Sequence, residues 1–436
     1  MQPVTTLPES IASGQITVGG DEKRLRSGRG ATYASIGRRG SMTQFIGRMC
    51  LNVGILAHLL DMRPGYRQAG VSRYIEYLLR ELPSASPHRF IVYAGRHSQS
   101  ENGSFEDRPG LRFTTSLLPT GRPETRILWE QFSAPFALER DKIDVVHATV
   151  NVAPLMSGRP VVVTVHDLAF LRFPEQYPGV KQRYLTAMTR RSVEHAERVI
   201  AVSSSTRADV IHFYNVEPER VVVVPNGLDP AMRSIDDDAE RTSFRHRHDL
   251  PERFILFLGT LQPRKNLIAL MRAWARLDSA TRLPLVVVGA QGWMYEPILD
   301  EARALGVAGE IVFKGFAEPR DLPYWYSSAT IFVYPSLYEG FGMPVVEAMA
   351  CGAPVIASNT SSLPEVAGDA AMLINPTDVE ALRGAIASLS ERDDLRRSMR
   401  ERGFFQASQF SWKRTARETA SVYEQAVSDY RAKRKE

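Results

Sequence analysis

The chain has 436 residues, of which 44% are hydrophobic and 24% charged, enough for two to three domains with cores of their own. No run of eighteen apolar residues occurs, which excludes a membrane span by sequence, and two cysteines, Cys50 and Cys351, are too few for a disulfide framework and point to a reducing, cytoplasmic compartment. The formal net charge of +5 suits anionic partners without choosing among them, and no nucleic-acid partner is expected.

Residues 1–47 are rich in Gly, Ser, Arg and Thr and read as a disordered leader, or as translation from an upstream start with Met49 as an alternative beginning. The apolar run Cys50 to Leu60 is interrupted by Asn52 and His58 and lacks a small-residue cleavage site, so it reads as a first strand, Leu51 to Ala57, rather than a signal peptide. Further strands are predicted at Phe90 to Tyr93, Ile143 to His147, Val161 to Val165, Val199 to Val202 and Val221 to Val224. They alternate with helical patterns at Val71 to Leu82, Glu124 to Arg140 and Lys181 to Ala196. Such alternation implies crossover units and a parallel sheet covered on both faces, hence a doubly wound α/β domain over residues 48–228. Gly65 to Gly70 forms a loop at a strand's carboxyl end, where ligands of open parallel sheets bind. His166 directly follows the run VVVTV at the same end of another strand, where an imidazole can hydrogen-bond or move a proton, with Asp167 able to orient it. Ser203 to Ser205 can cap the next helix.

Asp229 to Asp249 reads as a polar connection. Its Asp236-Asp237-Asp238 run and the pair His246 and His248 have metal-like spacing, but no strand precedes them and further ligands are missing, so no metal site is predicted. A second domain over 229–410 follows, with strands at Phe254 to Leu258, Leu285 to Gly289, Ile311 to Phe313, Ile331 to Tyr334, Pro354 to Ala357 and Met372 to Asn375. Helices are predicted to begin near Lys265, to run from Asp321 to Ser327, and to occupy about two turns between Pro344 and Gly352. Two charged helices and, from Ser411-Trp412 to about Tyr430, a last helix complete the chain.

The stretch Ile331 to Asn359 is a strand, loop, helix, strand unit with Glu339-Gly340-Phe341-Gly342 at its ligand-facing end. Gly340 and Gly342 remove side chains where a backbone could approach a ligand, and the free N–H groups of the following helix favour an anion. Carboxylates suit hydroxyls rather than phosphate, so Glu339 and Glu347 could hold opposite ends of one extended ligand; taken alone, Glu347 also reads as a complement to the helix dipole. Arg264 and Lys265 concentrate positive potential at the end of another strand, as a leaving diphosphate requires.

The string EGFGMPVVEAMACGAPV resembles the donor-site signature of glycosyltransferase family 4, retaining enzymes of the GT-B fold, and TVHDLAFLRFPEQYP resembles the acceptor-side motif of its mannosyltransferase-like branch. The resemblance runs from about residue 51 to 430. It implies two Rossmann-like domains facing across a cleft, an acceptor domain first and a nucleotide-sugar domain second, with the final helix, 411–436, returning to the first and Trp412 packing at the crossover. It implies that Arg264 and Lys265 hold the donor phosphates, Glu339 the sugar, Glu347 the ribose and His166 the reacting sugar or acceptor. Gly70 approaches the phosphates, with Ala69 where a second glycine is usual. Gly259, Ala317 (in the base-holding turn Gly315 to Ala317), Gly340, Phe341, Gly342 and Met343 complete the donor site. The expected reaction moves a hexose, mannose from GDP-mannose first among the choices, to a saccharide or lipid-linked saccharide, with no metal or other cofactor. A nucleotide-sugar epimerase of related fold, a phosphorylase carrying pyridoxal phosphate and an inactive partner subunit are the alternatives. The basic helix bearing Lys181, Arg183, Arg190 and Arg191 reads either as a contact for an anionic membrane or as a solvated face.

Overall fold

The computed structural model describes residues 50–63, 70–95, 105, 109–116, 120, 122–292 and 294–435. The leader, Met49 and Ala69 lie outside them. Seven strands form the first sheet: β1 (Asn52–Ala57), β2 (Arg89–Ala94), β3 (Leu111–Thr115), β4 (Val145–Ala148), β5 (Val161–Val165), β6 (Arg198–Ala201) and β7 (Val221–Val223), in spatial order β3-β2-β1-β4-β5-β6-β7. Six form the second: β8 (Ile255–Leu258), β9 (Leu285–Val288), β10 (Ile311–Gly315), β11 (Ile331–Tyr334), β12 (Val355–Ser358) and β13 (Ala371–Ile374), in order β10-β9-β8-β11-β12-β13. Every strand pair is parallel, for example Val53 beside Phe90 and Phe332 beside Val355. Strand order therefore reverses between β1 and β4 and between β8 and β11, and a crevice opens beyond the carboxyl ends at each reversal. The expected pair of doubly wound Rossmann-like lobes is what the chain forms.

The apolar runs are continuous because both faces of each sheet are covered. In β5 the side chain of Val162 enters the core shared with the helix α1 (Val71–Ala85), while Val161, Val163 and Val165 enter the core on the opposite face. The last helix, Trp412–Lys433, also packs on the α1 face of the first sheet through Ala416, Ala420, Tyr423 and Val427. Trp412 sits at the crossover, stacked on Tyr77 with ring centroids 5.4 Å apart. Gly227 lies so close beneath it that a Cβ there would be 2.1 Å from the Trp412 nitrogen, so any larger residue would separate the two crossing chains.

Several elements differ from expectation. β3 was not predicted: its side chains are mostly half-buried, so LRFTT lacks the apolar run that marks the inner strands. The short helices Glu296–Ala304 and Leu363–Ala367 were likewise missed. The supposed connection Asp229 to Asp249 contains the helix Asp238–Arg247. Asp237 caps it by accepting from Ala239 and Glu240 N–H, acidic residues occupy its first turn and basic ones its last, and fully buried Phe244 anchors it. After β8 a 3-10 turn, Pro263–Lys265, precedes the helix Leu267–Ala275, so the α-helix starts two residues beyond Lys265, behind the left-handed Asn266. The predicted helix Glu124 to Arg140 is interrupted by a π-helical turn at Trp129–Ser133. Among the described residues no helix is long and apolar enough to cross a membrane.

Candidate functional site

One cavity of about 490 Å³ lies between the carboxyl ends of the two sheets. Gly70 and His166 line it from the first lobe, and Gly259, Arg264, Lys265, Ala317, Glu339, Gly340, Phe341, Gly342, Met343 and Glu347 from the second. Trp412, expected only to pack, lines it too.

On the second lobe, β8 ends in the 3-10 turn that presents Arg264 and Lys265, held by Asn266, whose amide donates to the carbonyls of Pro335 and Pro376 at 3.1 and 2.8 Å. Glu339, on the loop after β11, accepts from Lys265 Nζ at 2.6 Å and lies 3.1 Å from Arg264 Nη1, and Tyr334 donates to the same carboxylate at 3.0 Å. Burial alone would raise the Glu339 carboxyl, but the two cations beside it prevail and hold it at about 2. Burial pulls Lys265 below the usual lysine range, and Glu339 offsets only part of that. The site thus contains a compact Arg-Lys-carboxylate cluster at the opening of the second sheet.

Gly340 lines the cavity, but the space left by its missing side chain, expected to let the backbone approach a ligand, is not free. The room is taken by the first lobe: a Cβ on Gly340 would be 1.7 Å from the carbonyl oxygen of His166. Ser203, which caps the helix Ser204–Tyr214 by accepting from Thr206 N–H, also donates to the Gly340 carbonyl at 2.6 Å and so ties the two lobes together. Gly342 adopts a φ of 99° as it opens the helix Met343–Ala350, and a side chain there would strike Leu363. Further contacts join the lobes. Tyr338 donates to Asp209 at 2.7 Å, and the Glu365 carboxylate accepts from Ser204 and Ser205 N–H, capping a helix of the opposite lobe.

His166 donates from Nε2 to the carbonyl of Thr149 at 2.8 Å, because that oxygen can only accept, and this leaves Nδ1 with its lone pair. Burial lowers its pKa, so the ring is neutral near pH 7. Tyr74 packs edge-on against it at 4.7 Å and is tied through Thr164 to His147 and then to Tyr423 of the last helix. Sequence reasoning did not find this buried chain, whose members come from four separate elements.

It also missed Arg73. Glu347, on the helix Met343–Ala350 and almost fully buried, accepts from Arg73 Nη1 at 2.8 Å and from Tyr326 at 3.1 Å. The other Arg73 nitrogen meets Asp229 at 3.2 Å. Its place in the first turn of α1, three residues beyond Gly70, was the available signal. Asp236, Asp237 and Asp238 lie elsewhere on an exposed helix start, with Asp236 paired to Arg400.

The family of group 1 glycosyl transferases matches residues 238–404, and glycosyltransferase family 4 matches residues 69–232. The O-antigen chain mannosyltransferase B of Escherichia coli is 36% identical over 267 residues, covering 60% of this chain and 69% of that protein. The serotype-specific mannosyltransferase WbdA of Escherichia coli is 34% identical over 58% of this chain, which spans only 32% of that longer protein. The crystal structure of Anabaena HepE in complex with UDP and glucose superposes with a TM-score of 0.67 at 19% identity, over 86% of this chain and 99% of that one, a likeness of fold. With two parallel-sheet lobes in the GT-B arrangement and both halves matched, the chain belongs to glycosyltransferase family 4, in its mannosyltransferase-like branch.

Proposed function

We propose that this glycosyltransferase moves a hexose, with retention, from a nucleotide sugar to a saccharide acceptor, and that the donor is GDP-mannose. The Arg264-Lys265-Glu339 cluster, facing His166 across one cavity, carries the reading. Arg264 and Lys265 stabilise the negative charge that grows on the diphosphate as the glycosidic bond breaks, and no metal or other cofactor is required for this. Glu339 accepts from the sugar hydroxyls and Glu347 from the ribose. Neutral His166, with Nδ1 as an acceptor, orients the reacting sugar or the incoming hydroxyl. The acceptor attacks from the face the phosphate leaves, and the departing phosphate oxygen takes its proton. The mannosyltransferase names of the relatives support the choice of sugar, and the UDP and glucose bound by HepE support a nucleotide sugar as donor.

The test is purified protein with a panel of nucleotide sugars and acceptors. GDP-mannose is expected to be consumed only with acceptor present, which separates transfer from epimerisation. Lys265→Ala is expected to lower turnover about 10- to 100-fold, the value of one charge-assisted hydrogen bond. The donor reading fails if no nucleotide sugar is consumed and neither Lys265→Ala nor Glu347→Ala alters nucleotide binding.

The acceptor is proposed to be presented at an anionic membrane on the cytoplasmic side. Leu128, Phe132 and Phe136, spaced by four along one helix face, are 53%, 61% and 80% exposed, a larger apolar display than the basic helix alone offers. Of that helix, Arg190 instead turns back to the carbonyl of Phe213 and the ring of Tyr214. Phe132→Ser with Phe136→Ser is expected to abolish sedimentation with anionic liposomes; sedimentation equal to wild type removes the membrane from the proposal.

A further inference from the structure

Side-chain charge around the cavity is balanced among the described residues: Arg73, Arg264 and Lys265 face Asp167, Glu339 and Glu347. Arg264 and Lys265 share Glu339, and Arg73 is the cation that meets Glu347. Both oxygens of Glu347 are engaged, one by the Arg73 guanidinium and the other by the Tyr326 hydroxyl. Ribose hydroxyls are neutral. If they displaced the guanidinium and nothing else changed, this partly buried cation would lose one of the two carboxylates it pairs with and keep only Asp229, which is unfavourable. A nucleoside diphosphate carries the missing charge on the same molecule as the ribose.

We propose that Arg73 binds the donor's diphosphate in exchange for Glu347, so that one ligand satisfies both halves of the ion pair it breaks. The inference rests on the reading of this cavity as a nucleotide-sugar site. Three features direct the guanidinium to that anion. Arg73 lies in the first turn of a fifteen-residue helix whose N-cap, Gly70, provides no side-chain cap, so the backbone N–H groups beside it favour the same negative charge. Gly70 itself lines the cavity, and a Cβ on it would meet nothing within 4 Å among the described residues. Asp229 anchors the far side: its carboxylate accepts from Ala231 N–H at 2.8 Å and contacts Arg73 Nη2 at 3.2 Å. Nη2 keeps this partner while Nη1 passes from Glu347 to a phosphate oxygen. A partly buried guanidinium with one prong fixed and one transferable makes the pocket respond to the diphosphate rather than to the nucleoside.

Titration calorimetry on the full chain tests this with GDP, UDP, guanosine, uridine and inorganic pyrophosphate. Wild type is expected to bind one diphosphate far more tightly than its nucleoside. Arg73→Gln is expected to weaken that diphosphate by about tenfold or more, with nucleoside affinity unchanged or higher because Glu347 is released. Arg73→Lys is expected to recover part of the loss. Glu347→Gln provides the reciprocal arm: with its competitor neutralised, Arg73 is expected to bind pyrophosphate more tightly than in wild type, and Arg73→Gln in the same background to remove that gain. An Arg73→Gln protein that loses diphosphate and nucleoside equally, or neither, overturns the exchange and leaves Arg73 as a strut between lobes. Unaltered pyrophosphate affinity in Glu347→Gln overturns it too. Absence of any nucleotide binding by wild type defeats the donor reading itself, and this inference with it.

Discussion

The alpha carbon of Gly340 faces the carbonyl oxygen of His166 so closely that a single methyl group between them would lie 1.7 Å from that oxygen. The two residues belong to opposite lobes, on the loops after β11 and β5, and both line the cavity between those lobes. The Ser203 hydroxyl bound to the Gly340 carbonyl holds the same approach from the side. The lobes are therefore joined by a close backbone approach as well as by the side-chain pairing of Arg73 with Glu347 and of Tyr338 with Asp209.

Gly340→Ala is the sharpest test of that contact. The added carbon must push the lobes apart or displace the loop that carries Glu339, and small-to-large insertions into tight packing cost roughly 1–3 kcal/mol. Expected are a lower Tm and a loss of at least about tenfold in kcat/KM, since misplacement of about 1 Å can cost two orders of magnitude. A Gly340→Ala protein with wild-type kinetics would show that the loop, not the lobe spacing, absorbs the change.

Glu339 predicts an acid-side stability window. Its carboxyl is held at about 2 in the folded chain, below the 4.5 of an ordinary glutamate, because Arg264 and Lys265 outweigh burial. A depressed acid contributes stability that is present above the unfolded pKa and is lost as pH falls through the folded one. Wild type is expected to lose stability between pH 4.5 and about 2, and Glu339→Gln to flatten that part of the curve, as urea melts at stepped pH can read.

Glu130 predicts the opposite slope. Burial raises its carboxyl to about 7, with Arg126 offsetting only part of the effect. Protonated Glu130 is therefore favoured by folding, and the advantage is complete below the unfolded value near 4.5 and lost as pH rises through about 7. Glu130→Gln is expected to match wild type at pH 4 and to be more stable by roughly 1–3 kcal/mol at pH 8, measured by paired melts.

Glu365 caps a helix that its own lobe does not contain, by accepting from Ser204 and Ser205 N–H at 3.0 and 3.1 Å. Carboxylates at helix starts contribute about 0.3–1 kcal/mol, or up to roughly 2 when partly buried. Glu365→Gln is expected to leave secondary structure unchanged, to raise the radius of gyration in solution scattering and to raise KM severalfold. An unchanged scattering profile with unchanged KM would assign the cap no part in closure.

Which features were readable in one dimension follows from their range. The runs VVVTV, ILFL and IFVY are local, and so are Pro344 and the glycines around them, so strand ends, helix starts and the alternation of parallel crossovers could be placed before any coordinates. Because ligands of such sheets gather at strand carboxyl ends, His166, Arg264, Lys265 and Glu339 could be named as residues sharing one end of the molecule. The edge strand β3 and the helix Asp238–Arg247 escaped because one lacks an apolar run and the other hides its single anchor, Phe244, among charges.

Chemical type and sheet position were thus properties of the chain alone; the partner of each charge was decided by the packing of two lobes. Arg73 and Glu347 stand 274 positions apart, Tyr338 and Asp209 129 apart, and Ser203 and Gly340 137 apart. A hydrogen bond or ion pair forms only within a few ångströms, and no periodicity along the chain encodes which distant residue arrives there. The same packing then determined which of those groups are ionised: two cations hold Glu339 charged against its burial, while burial leaves His166 neutral against Thr149.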